Sequence, residues 1–258
     1  TILLFCAPEA APMPNAAGLF TPPPRRRLYL MRHGAVDYFL PDGTPLPPHE
    51  VPLNAAGRAQ ADAAGALFAA AGVVFDRVVV SGLPRTLETA RRVLAACGQS
   101  GRPIDIEPDF EEIRPGRLSS LAPEQLREAF TGAFEPAPGE TIEERAFLGG
   151  ETIGALLDRV LPAMARLQDD AGWQTALLVL HGGVNRALLS GWLCGGRAFL
   201  GRLEQSPACI NIVDLGPGGQ DAVLRAVNLS PTDWLQPDER TTTMERLLAQ
   251  YAGGLTTR

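Results

Sequence analysis

The stretch Leu28-Tyr29-Leu30-Met31-Arg32-His33-Gly34 decides how this chain folds. Its apolar residues favour a β-strand at about residues 27–32, and that strand ends abruptly in a cation, an imidazole and a glycine. The glycine lets the backbone turn away without a clash at Cβ. The pattern therefore predicts a strand that places Arg32 and His33 at the edge of a sheet, in a position suited to binding an anion.

A second stretch ends in the same way. Residues 176–183 read Ala-Leu-Leu-Val-Leu-His-Gly-Gly, an apolar run followed by His181 and two glycines. The chain has three histidines, and two of them stand directly after predicted strands. One such histidine is usually a packing or turn residue, but two in equivalent positions favour a shared site. The third, His49, lies in a proline-rich loop and is expected to be exposed.

The remaining sequence alternates short apolar runs with longer helical patterns. Further strands are predicted at residues 75–81, 104–107, 176–181, 210–215 and 222–228. Helices are predicted at residues 55–71, 84–97, 123–134, 151–170, 183–194 and 243–251, the first of them capped by Asn54. This alternation predicts an α/β fold, a three-layer sandwich with a largely parallel central sheet flanked by helices.

In such a sheet, ligands bind beyond the carboxyl ends of the strands. The Arg32-His33 pair, the segment 81–85 and His181 all follow predicted strands. These three separate parts of the chain are therefore expected to converge on one site.

Length and composition favour one domain. With 258 residues, of which 45% are hydrophobic, the chain has ample material for a single core, and we assign residues 25–258 to one α/β domain. Residues 1–24, which are rich in proline and alanine, are predicted to be a flexible N-terminal tail. The proline-rich loop Asp37–Pro52 and an irregular insertion at residues 135–148 are expected to form walls of the site.

The charge pattern points to a small anionic ligand. A net charge of −6 and a pI near 5.2 leave no general basic surface for nucleic acid or an anionic membrane. No apolar run reaches the ~20 residues that a membrane helix needs. All 23 basic residues are arginine, because lysine does not occur. Sites that depend on lysine, such as Walker-type phosphate loops, Schiff-base enzymes and protein kinases, are therefore excluded, whereas the arginine fork that grips phosphate remains.

The cysteines Cys6, Cys97, Cys194 and Cys209 show no paired Cys-x-x-Cys spacing. We interpret them as reduced thiols of a cytoplasmic protein, because the apolar run at the N-terminus also lacks the basic flank of a secretory signal. Cys97 precedes Arg102 by five positions, one short of the step in cysteine-dependent phosphatases. That class stays open as an alternative.

Several motifs occur in a fixed order along the chain. They are Leu28–Gly34 (LYLMRHG), Pro52–Ala61 (PLNAAGRAQA), Ser81–Ala90 (SGLPRTLETA), Glu112–Gly116 (EIRPG), Gly149–Thr152 (GGET) and Val179–Gly183 (VLHGG). In this order they resemble the histidine phosphatase superfamily, in its phosphoglycerate-mutase-like branch with the Arg-His-Gly motif. The resemblance covers about residues 28–214 and implies a phosphoglycerate-mutase-like fold.

The resemblance also implies roles for individual side chains. His33 would be the nucleophile that becomes phosphorylated, and a neutral imidazole nitrogen suits that attack. Arg32, Arg85 and a protonated His181 would bind the phosphoryl oxygens, since phosphoryl transfer depends mainly on positioned positive charge. Glu112 matches the acid that protonates the leaving oxygen and then helps to activate water.

The sequence leaves alternatives for some of these residues. Glu111 is a second candidate for the acid beside Glu112, and Arg85 could instead form a surface ion pair with Glu88. The two strand-end histidines and the acid could also be read as metal ligands. They lack local ligand spacing, and adjacent arginines oppose a cation, so neither a metal nor a cofactor is predicted.

The chain also departs from the best-known members of the family. Ala35-Val36-Asp37-Tyr38 follows the Arg-His-Gly motif, where members often carry Glu-Thr or Glu-Ser and then an asparagine that holds phosphate. The lysine-bearing substrate loop of the mutases is absent as well. Mutase activity therefore becomes the weaker option.

We therefore expect a metal-independent phosphomonoester hydrolase that acts on a small phosphorylated metabolite through a phosphohistidine on His33. A phosphoglycerate-type mutase and a non-catalytic phosphate-binding module are the alternatives. Tyr38, Arg58 and Arg114 are candidates for contacts beyond the phosphate. No nucleic acid or membrane is expected as a partner, and the oligomeric state is left open, with a homodimer as one option.

Overall fold

The computed structural model describes residues 23–40, 44–116, 123–217 and 221–256. Its strands are β1 Arg26–Arg32, β2 Arg77–Val80, β3 Asp105–Ile106, β4 Thr175–Leu180, β5 Ile210–Leu215 and β6 Ala222–Leu229. Its helices are α1 Ala55–Ala70, α2 Pro84–Ala96, α3 Pro123–Thr131, α4 Ile153–Asp169, α5 Gly182–Cys194 and α6 Thr243–Thr256. The predicted mixture of strands and helices is confirmed.

The described strands form one six-stranded sheet in the order β3-β2-β4-β1-β5-β6. β1 pairs in parallel with β4, β4 with β2, and β2 with β3. β5 is antiparallel to both of its neighbours, β1 and β6. The prediction of a largely parallel central sheet is confirmed, and β5 is the strand that runs the other way.

Helices cover both faces of the sheet because both faces of its central strands are apolar. Leu28 and Leu30 of β1 point into a core shared with α4 and α5, where Leu157 is fully buried. Met31, the next residue of β1, points to the opposite core, where it meets α1 through Phe68. These two cores give the three layers that the sequence predicts.

The register of the central strands brings the predicted site segments together. Arg32 at the end of β1 is level with Leu180 at the end of β4, so His33 and His181 leave the sheet side by side. β2 ends one strand further along, and its last residue, Val80, is in register with β4. Three segments that are far apart in sequence therefore meet at one edge of the sheet.

Most predicted helix boundaries agree with the structure to within a few residues. Asn54 caps α1 as predicted, since its side chain accepts a hydrogen bond from the backbone N–H of Gly57 at 2.9 Å. Two boundaries are wrong: α3 ends at Thr131 rather than at residue 134, and α6 continues to Thr256 rather than ending at residue 251. The apolar pattern is weak at both helix ends, so neither end is marked by a clear stop signal.

Two irregular segments were also predicted. The insertion at residues 135–148 contains turns and the start of a short 3₁₀ turn at Phe147–Gly149, and no α-helix or strand. The predicted tail lies outside the described residues except for Pro23 and Pro24. Within the described ranges, every helix is too short or too polar to cross a membrane.

Two glycines allow the backbone after β1 to lie directly on α1. A Cβ at Gly34 would lie 2.4 Å from the carbonyl oxygen of Gly57, and a Cβ at Gly57 would lie 2.1 Å from that of Ala35. The N–H of Gly34 also donates to Oγ1 of Thr89 on α2, at 3.1 Å. The residues that follow His33 are therefore held between α1 and α2.

We predict that Gly57→Ala destabilises the fold by about 1–3 kcal/mol, because the added methyl group must push main-chain atoms apart. Gly101→Ala is the matched control, since a Cβ at Gly101 meets nothing within 4 Å and should change stability by less than about 0.5 kcal/mol. Urea unfolding of both variants measures the difference. Equal stability of the two variants would show that the contact between Gly57 and Ala35 is not tight.

Candidate active site

His33 is buried and held in one tautomer. Its ring Nδ1 lies 2.7 Å from the carbonyl oxygen of Gly34, and because a carbonyl can only accept a hydrogen bond, Nδ1 carries the proton. The lone pair therefore resides on Nε2, which is buried and has no hydrogen-bond partner among the described residues. The geometry leaves Nε2 free to act as a nucleophile.

His181 faces His33, with the two ring centroids 5.3 Å apart and the ring planes at 63°. Nε2 of His181 lies 2.8 Å from Oγ of Ser81, which lies 3.1 Å from Oγ1 of Thr86. Thr86 in turn donates to the carbonyl oxygen of Leu83 at 2.8 Å. Since the Thr86 hydroxyl proton is used in the bond to Leu83, the Ser81 hydroxyl must donate to Thr86. Ser81 Oγ therefore accepts the hydrogen bond from Nε2 of His181. In neutral His181, Nδ1 therefore carries the lone pair, and it has no partner in the described part of the chain.

Arg32 and Arg85 lie buried beside the two rings, 7% and 2% exposed. Arg32 Nη1 donates to the carbonyl oxygen of Gln205 at 2.6 Å and to Oγ1 of Thr243 at 3.2 Å. Arg85 Nη1 donates to the carbonyl oxygen of Pro48 at 2.6 Å. Nε of each guanidinium is buried and unpaired within the described ranges.

The partners of these two arginines are neutral oxygens. No described carboxylate lies within ion-pair distance of Arg32 or Arg85. Burying a charge without a counter-charge is costly, so such an arrangement is expected where an anion completes the site. Arg85 and Arg32 therefore form a candidate anion-binding centre next to the imidazole of His33.

Glu112 reaches the same edge of the sheet from the segment after β3. Its Oε1 accepts hydrogen bonds from the backbone N–H of Ile113 at 2.9 Å and from that of Gly183 at 3.0 Å. Gly183 lies in the first turn of α5, two residues after His181, so the carboxylate is fixed beside the histidine pair. A Cβ at Gly183 would lie 2.7 Å from Oε1, so glycine is required there for this close approach.

A half-buried ion pair supports the segment that carries Glu112. Arg159 of α4 pairs with Glu151 at 2.9 Å and donates through Nη1 to the carbonyl oxygens of Asp109 and Glu111, each at 2.7 Å. Its Nη2 donates to the carbonyl oxygen of Glu112 at 3.2 Å. This role of Arg159 was not predicted from the sequence. The available signal was an arginine among the apolar positions of a helical pattern.

Burial and the arginines keep both histidines neutral in the empty site. Burial, and then the charges of Arg85 and Arg32, hold the pKa of His33 well below its usual 6.5. Burial, and then the charges of Arg85, His33, Arg32 and Arg159, do the same to the pKa of His181. A neutral His33 agrees with its expected role. The expected protonated His181 is a ligand of bound phosphate, so it stays a prediction. Without a bound anion, burial lowers the pKa of His181, and the sequence did not reveal how deeply the ring is buried.

The loop Asp37–Pro52 contributes one wall, as predicted. Pro48 supplies the carbonyl oxygen that holds Arg85, and the Tyr38 ring centroid lies 5.9 Å from Cζ of Arg85. His49 is exposed on this loop. Of the predicted contacts beyond the phosphate, Tyr38 is therefore the one that lies at the site.

The other two candidates for such contacts have different partners. Arg58 pairs with Glu88 at 2.7 Å, and the exposed Arg114 lies 3.9 Å from Glu111. The alternative in which Arg85 forms an ion pair with Glu88 is wrong, since Glu88 is occupied by Arg58 and Arg85 is buried.

The insertion at residues 135–148 makes its polar contacts away from the histidine pair. Glu143 pairs with Arg197 at 2.7 Å, and Arg145 donates to the carbonyl oxygen of Gly132 at 2.9 Å. The prediction that this segment forms a wall of the site is not supported by these contacts.

The cysteine-dependent alternative is wrong on geometric grounds. Cys97 follows the last residue of α2, whereas Arg85, near the first residue of that helix, lies at the site. Cys97 and the site are therefore at opposite ends of α2, and Arg102 is exposed. Cys97, Cys194 and Cys209 are free thiols, and Cys6 lies outside the described residues.

The histidines and Glu112 do not form a metal centre. In the ranges that the structure describes, no group of three or more His, Cys, Asp or Glu side chains is arranged to hold a metal ion.

The fold and the site define an α/β enzyme with an anion-binding centre around a histidine pair. The model of the histidine phosphatase superfamily (branch 1) matches residues 28–228. The chain therefore belongs to the histidine phosphatase superfamily, and the resemblance noted in the sequence is confirmed. It is an enzyme of the phosphatase type.

Individual relatives include both mutases and a phosphatase. The chain is 29% identical over 177 residues to the 2,3-bisphosphoglycerate-dependent phosphoglycerate mutase of Bartonella quintana, covering 64% of this chain and 80% of that protein. It is 28% identical over 139 residues to phosphoglycerate mutase-like protein 4 of Arabidopsis thaliana, covering 54% of this chain and 59% of that protein.

Among solved structures, the α-ribazole phosphatase of Shigella flexneri superimposes with a TM-score of 0.57 at 26% identity. The match covers 78% of this chain and 96% of that one. The predicted phosphoglycerate-mutase-like α/β architecture is confirmed.

We predict that the two buried histidines make the protein less stable in acid. Because their pKa values are lowered in the folded state, the unfolded chain takes up protons below pH 6.5 that the folded protein does not. Stability is therefore fully present above pH 6.5 and falls as the pH drops below it. Between pH 7 and pH 5.5 the loss is about 1 kcal/mol per histidine.

Urea unfolding at the two pH values measures this loss. The double variant His33→Gln/His181→Gln should lose about 2 kcal/mol less than the wild type, because both rings are removed. His49→Gln, which changes an exposed loop histidine, is the control and should retain the wild-type difference. The same pH dependence in the double variant and the wild type would contradict the buried, neutral state of the pair.

Proposed function

We propose that this protein is a metal-independent phosphomonoester hydrolase that acts on a small phosphorylated metabolite through a phosphohistidine intermediate on His33. The observation that carries the proposal is the pairing of two buried, uncompensated guanidiniums with a histidine whose Nε2 lone pair is free. A phosphate monoester brings close to two negative charges, which match the two cations. The same pairing places a nucleophile beside the phosphorus atom.

The proposed reaction has two steps. In the first, Nε2 of His33 forms a bond to phosphorus while the bond from phosphorus to the ester oxygen breaks, and Glu112 gives a proton to the departing alcohol. In the second, a water molecule gives its proton to Glu112 and its oxygen attacks the phosphohistidine, so that the phosphorus–nitrogen bond breaks. The products are an alcohol and inorganic phosphate, and His33 and Glu112 return to their starting states.

Arg32 and Arg85 stabilise the charge on the phosphoryl oxygens during both steps. Their Nη1 atoms are used to hold the side chains in place, which leaves the unpaired Nε edges for the substrate. Donors that are fixed before the substrate arrives cost little reorganisation, and this is the main aid that phosphoryl transfer needs. Positive charge in this site comes from side chains of the chain itself.

His181 gains its proton together with the substrate. In the empty site its pKa is held low, but a bound anion offsets the charges of the arginines and favours the imidazolium. The second pKa of a phosphate monoester is about 6, so the substrate can bring this proton as its monoanion. Protonated Nδ1 then donates to a phosphoryl oxygen.

A phosphoglycerate-type mutase is the second candidate, favoured by the matches to phosphoglycerate mutases. A mutase returns the phosphoryl group from the histidine to a hydroxyl of the substrate instead of to water. Supplying a phosphoglycerate and separating the products distinguishes the two: free phosphate supports the hydrolase, and an isomeric phosphoglycerate supports the mutase.

We predict that His33→Ala abolishes phosphate release from p-nitrophenyl phosphate, because the variant lacks the imidazole nitrogen that accepts the phosphoryl group in the proposed reaction. The assay contains EDTA, in which the wild type should keep its activity. Rapid acid-free quenching with labelled substrate should trap an acid-labile phosphoryl group on the wild type and none on His33→Ala. Circular dichroism confirms that the variant is folded, and undiminished hydrolysis by folded His33→Ala would refute the proposal.

A further prediction separates the two candidate acids. Glu112→Gln should slow the hydrolysis of an alkyl phosphate by about 10²–10⁴-fold, because an alkoxide needs a proton in order to leave. The same variant should slow the first step of p-nitrophenyl phosphate hydrolysis much less, since nitrophenolate leaves without protonation. Glu111→Gln is the matched control and should retain both activities. A larger effect of Glu111→Gln on the alkyl phosphate would assign the acid to the neighbouring residue.

A further inference from the structure

The C-terminal helix α6 touches the anion-binding centre through its first residue. Oγ1 of Thr243 accepts a hydrogen bond from Nη1 of Arg32 at 3.2 Å. Thr243 lies outside residues 28–228, the region that matches the family model. This contact therefore ties a segment beyond the family-wide region to a side chain of the Arg-His-Gly motif.

The arrangement of protons shows what Thr243 does for Arg32. Its hydroxyl has one proton, which it donates to the carboxylate of Glu204, and its backbone N–H lies 3.3 Å from the same oxygen. With the proton committed to Glu204, the lone pairs of the hydroxyl are left for Arg32. Glu204 thus acts on Arg32 through Thr243 without pairing with it directly.

Both protons of Arg32 Nη1 are consequently used. One is held by the carbonyl oxygen of Gln205 at 2.6 Å and the other by Thr243 at 3.2 Å. A guanidinium is planar, so fixing both protons of one nitrogen fixes the direction of the whole group. The Nε edge, which is buried and unpaired among the described residues, is thereby aimed at the anion position.

Thr243 is itself held in a defined position. The hydroxyl of Thr242 accepts from the N–H of Glu245 at 3.1 Å, and the Glu245 carboxylate accepts from the N–H of Thr242 at 2.7 Å. This reciprocal pair is a capping box that fixes the start of α6. Further along, Tyr251 of α6 packs on Phe130 of α3.

Glu204 is anchored on its other side by Arg186 of α5, whose Nη2 lies 3.3 Å from the second carboxylate oxygen. Arg186 is 4% exposed, and burial holds its pKa below the usual value. The carboxylate is therefore shared between a buried cation and the Thr243 hydroxyl. This sharing explains how a carboxylate can lie close to Arg32 without neutralising it.

We infer that Thr243 and Glu204 are positioning residues that set the orientation of Arg32, so that α6 is a working part of the anion-binding centre. The inference rests on the role of Arg32 in the proposed function, and it adds the residues that orient Arg32. Without the Thr243 hydroxyl, Arg32 keeps its bond to Gln205 but can rotate about it. The phosphate would then meet a less well oriented cation.

The test measures binding of inorganic phosphate by isothermal titration calorimetry to the wild type, Thr243→Val, Thr243→Ala, Thr243→Ser and Thr241→Val. Valine keeps the shape of threonine and removes the hydroxyl. Alanine also removes the hydroxyl and shows whether an effect of valine comes from its packing. Serine keeps the hydroxyl. Thr241→Val is the matched control, because the exposed Thr241 donates only to Glu239. Thermal melts fix a temperature at which every variant is folded.

We predict that Thr243→Val and Thr243→Ala weaken phosphate binding about tenfold, the loss expected for one hydrogen bond to a charged group. Thr243→Ser and Thr241→Val should bind within about twofold of the wild type. Hydrolysis of p-nitrophenyl phosphate should show the same order, with KM raised more than kcat is lowered, since a bond to the ground state is lost. A role confined to stability would lower the melting temperature and leave the phosphate affinity of the folded protein unchanged.

The outcomes separate this inference from the proposed function. Wild-type phosphate affinity in folded Thr243→Val and Thr243→Ala overturns the inference while leaving the hydrolase intact. Weakened binding in both, restored by Thr243→Ser, supports the inference even where the wild type releases no phosphate from esters. Absence of phosphate binding to the wild type overturns both.

Discussion

The burial of Arg32 and Arg85 without a carboxylate is the constraint on which the site depends. Each guanidinium is held by main-chain carbonyl oxygens, from Gln205 and Pro48, and these bonds fix its direction without cancelling its charge. A carboxylate in either place would stabilise the empty protein and weaken the attraction for an anion. The chain therefore carries an unfavourable arrangement in the empty state, and a bound phosphoryl group removes it.

Burial and the positive charge of the arginines lower the pKa of both histidines, with opposite consequences for their roles. The low pKa of His33 keeps the Nε2 lone pair available, and the bond from Nδ1 to Gly34 decides which nitrogen holds that lone pair. His181, by contrast, would serve better as a cation. A bound anion changes this balance, because its negative charge offsets the arginines and raises the pKa of His181. His181 can then take a proton, while the Nε2 atom of His33 faces phosphorus. The nucleophile is thus ready before the substrate binds, and the second histidine becomes a donor afterwards.

Residues whose position follows from local pattern were predictable from the sequence. Arg32, His33 and His181 end apolar runs, and the parallel register makes neighbouring strand ends meet, so their convergence follows from the strands alone. The roles of Arg159 and Thr243 were not predicted, because the groups that they hold, Glu112 and Arg32, are far away in sequence. The low pKa of His181 in the absence of an anion was not predictable either, since it depends first on burial by elements that a strand pattern does not show.

The groups that would act on phosphorus and the groups that surround them lie in different parts of the fold. The groups that would act on phosphorus come from the ends of β1 and β4, from the first turn of α2 and, for Glu112, from the segment after β3. The groups around them come from the loop at Asp37–Pro52, through Pro48 and Tyr38, and from α6, through Thr243. These outer segments hold the arginines in place. A change in either segment can therefore alter the orientation of an arginine at the site while the strand ends stay unchanged.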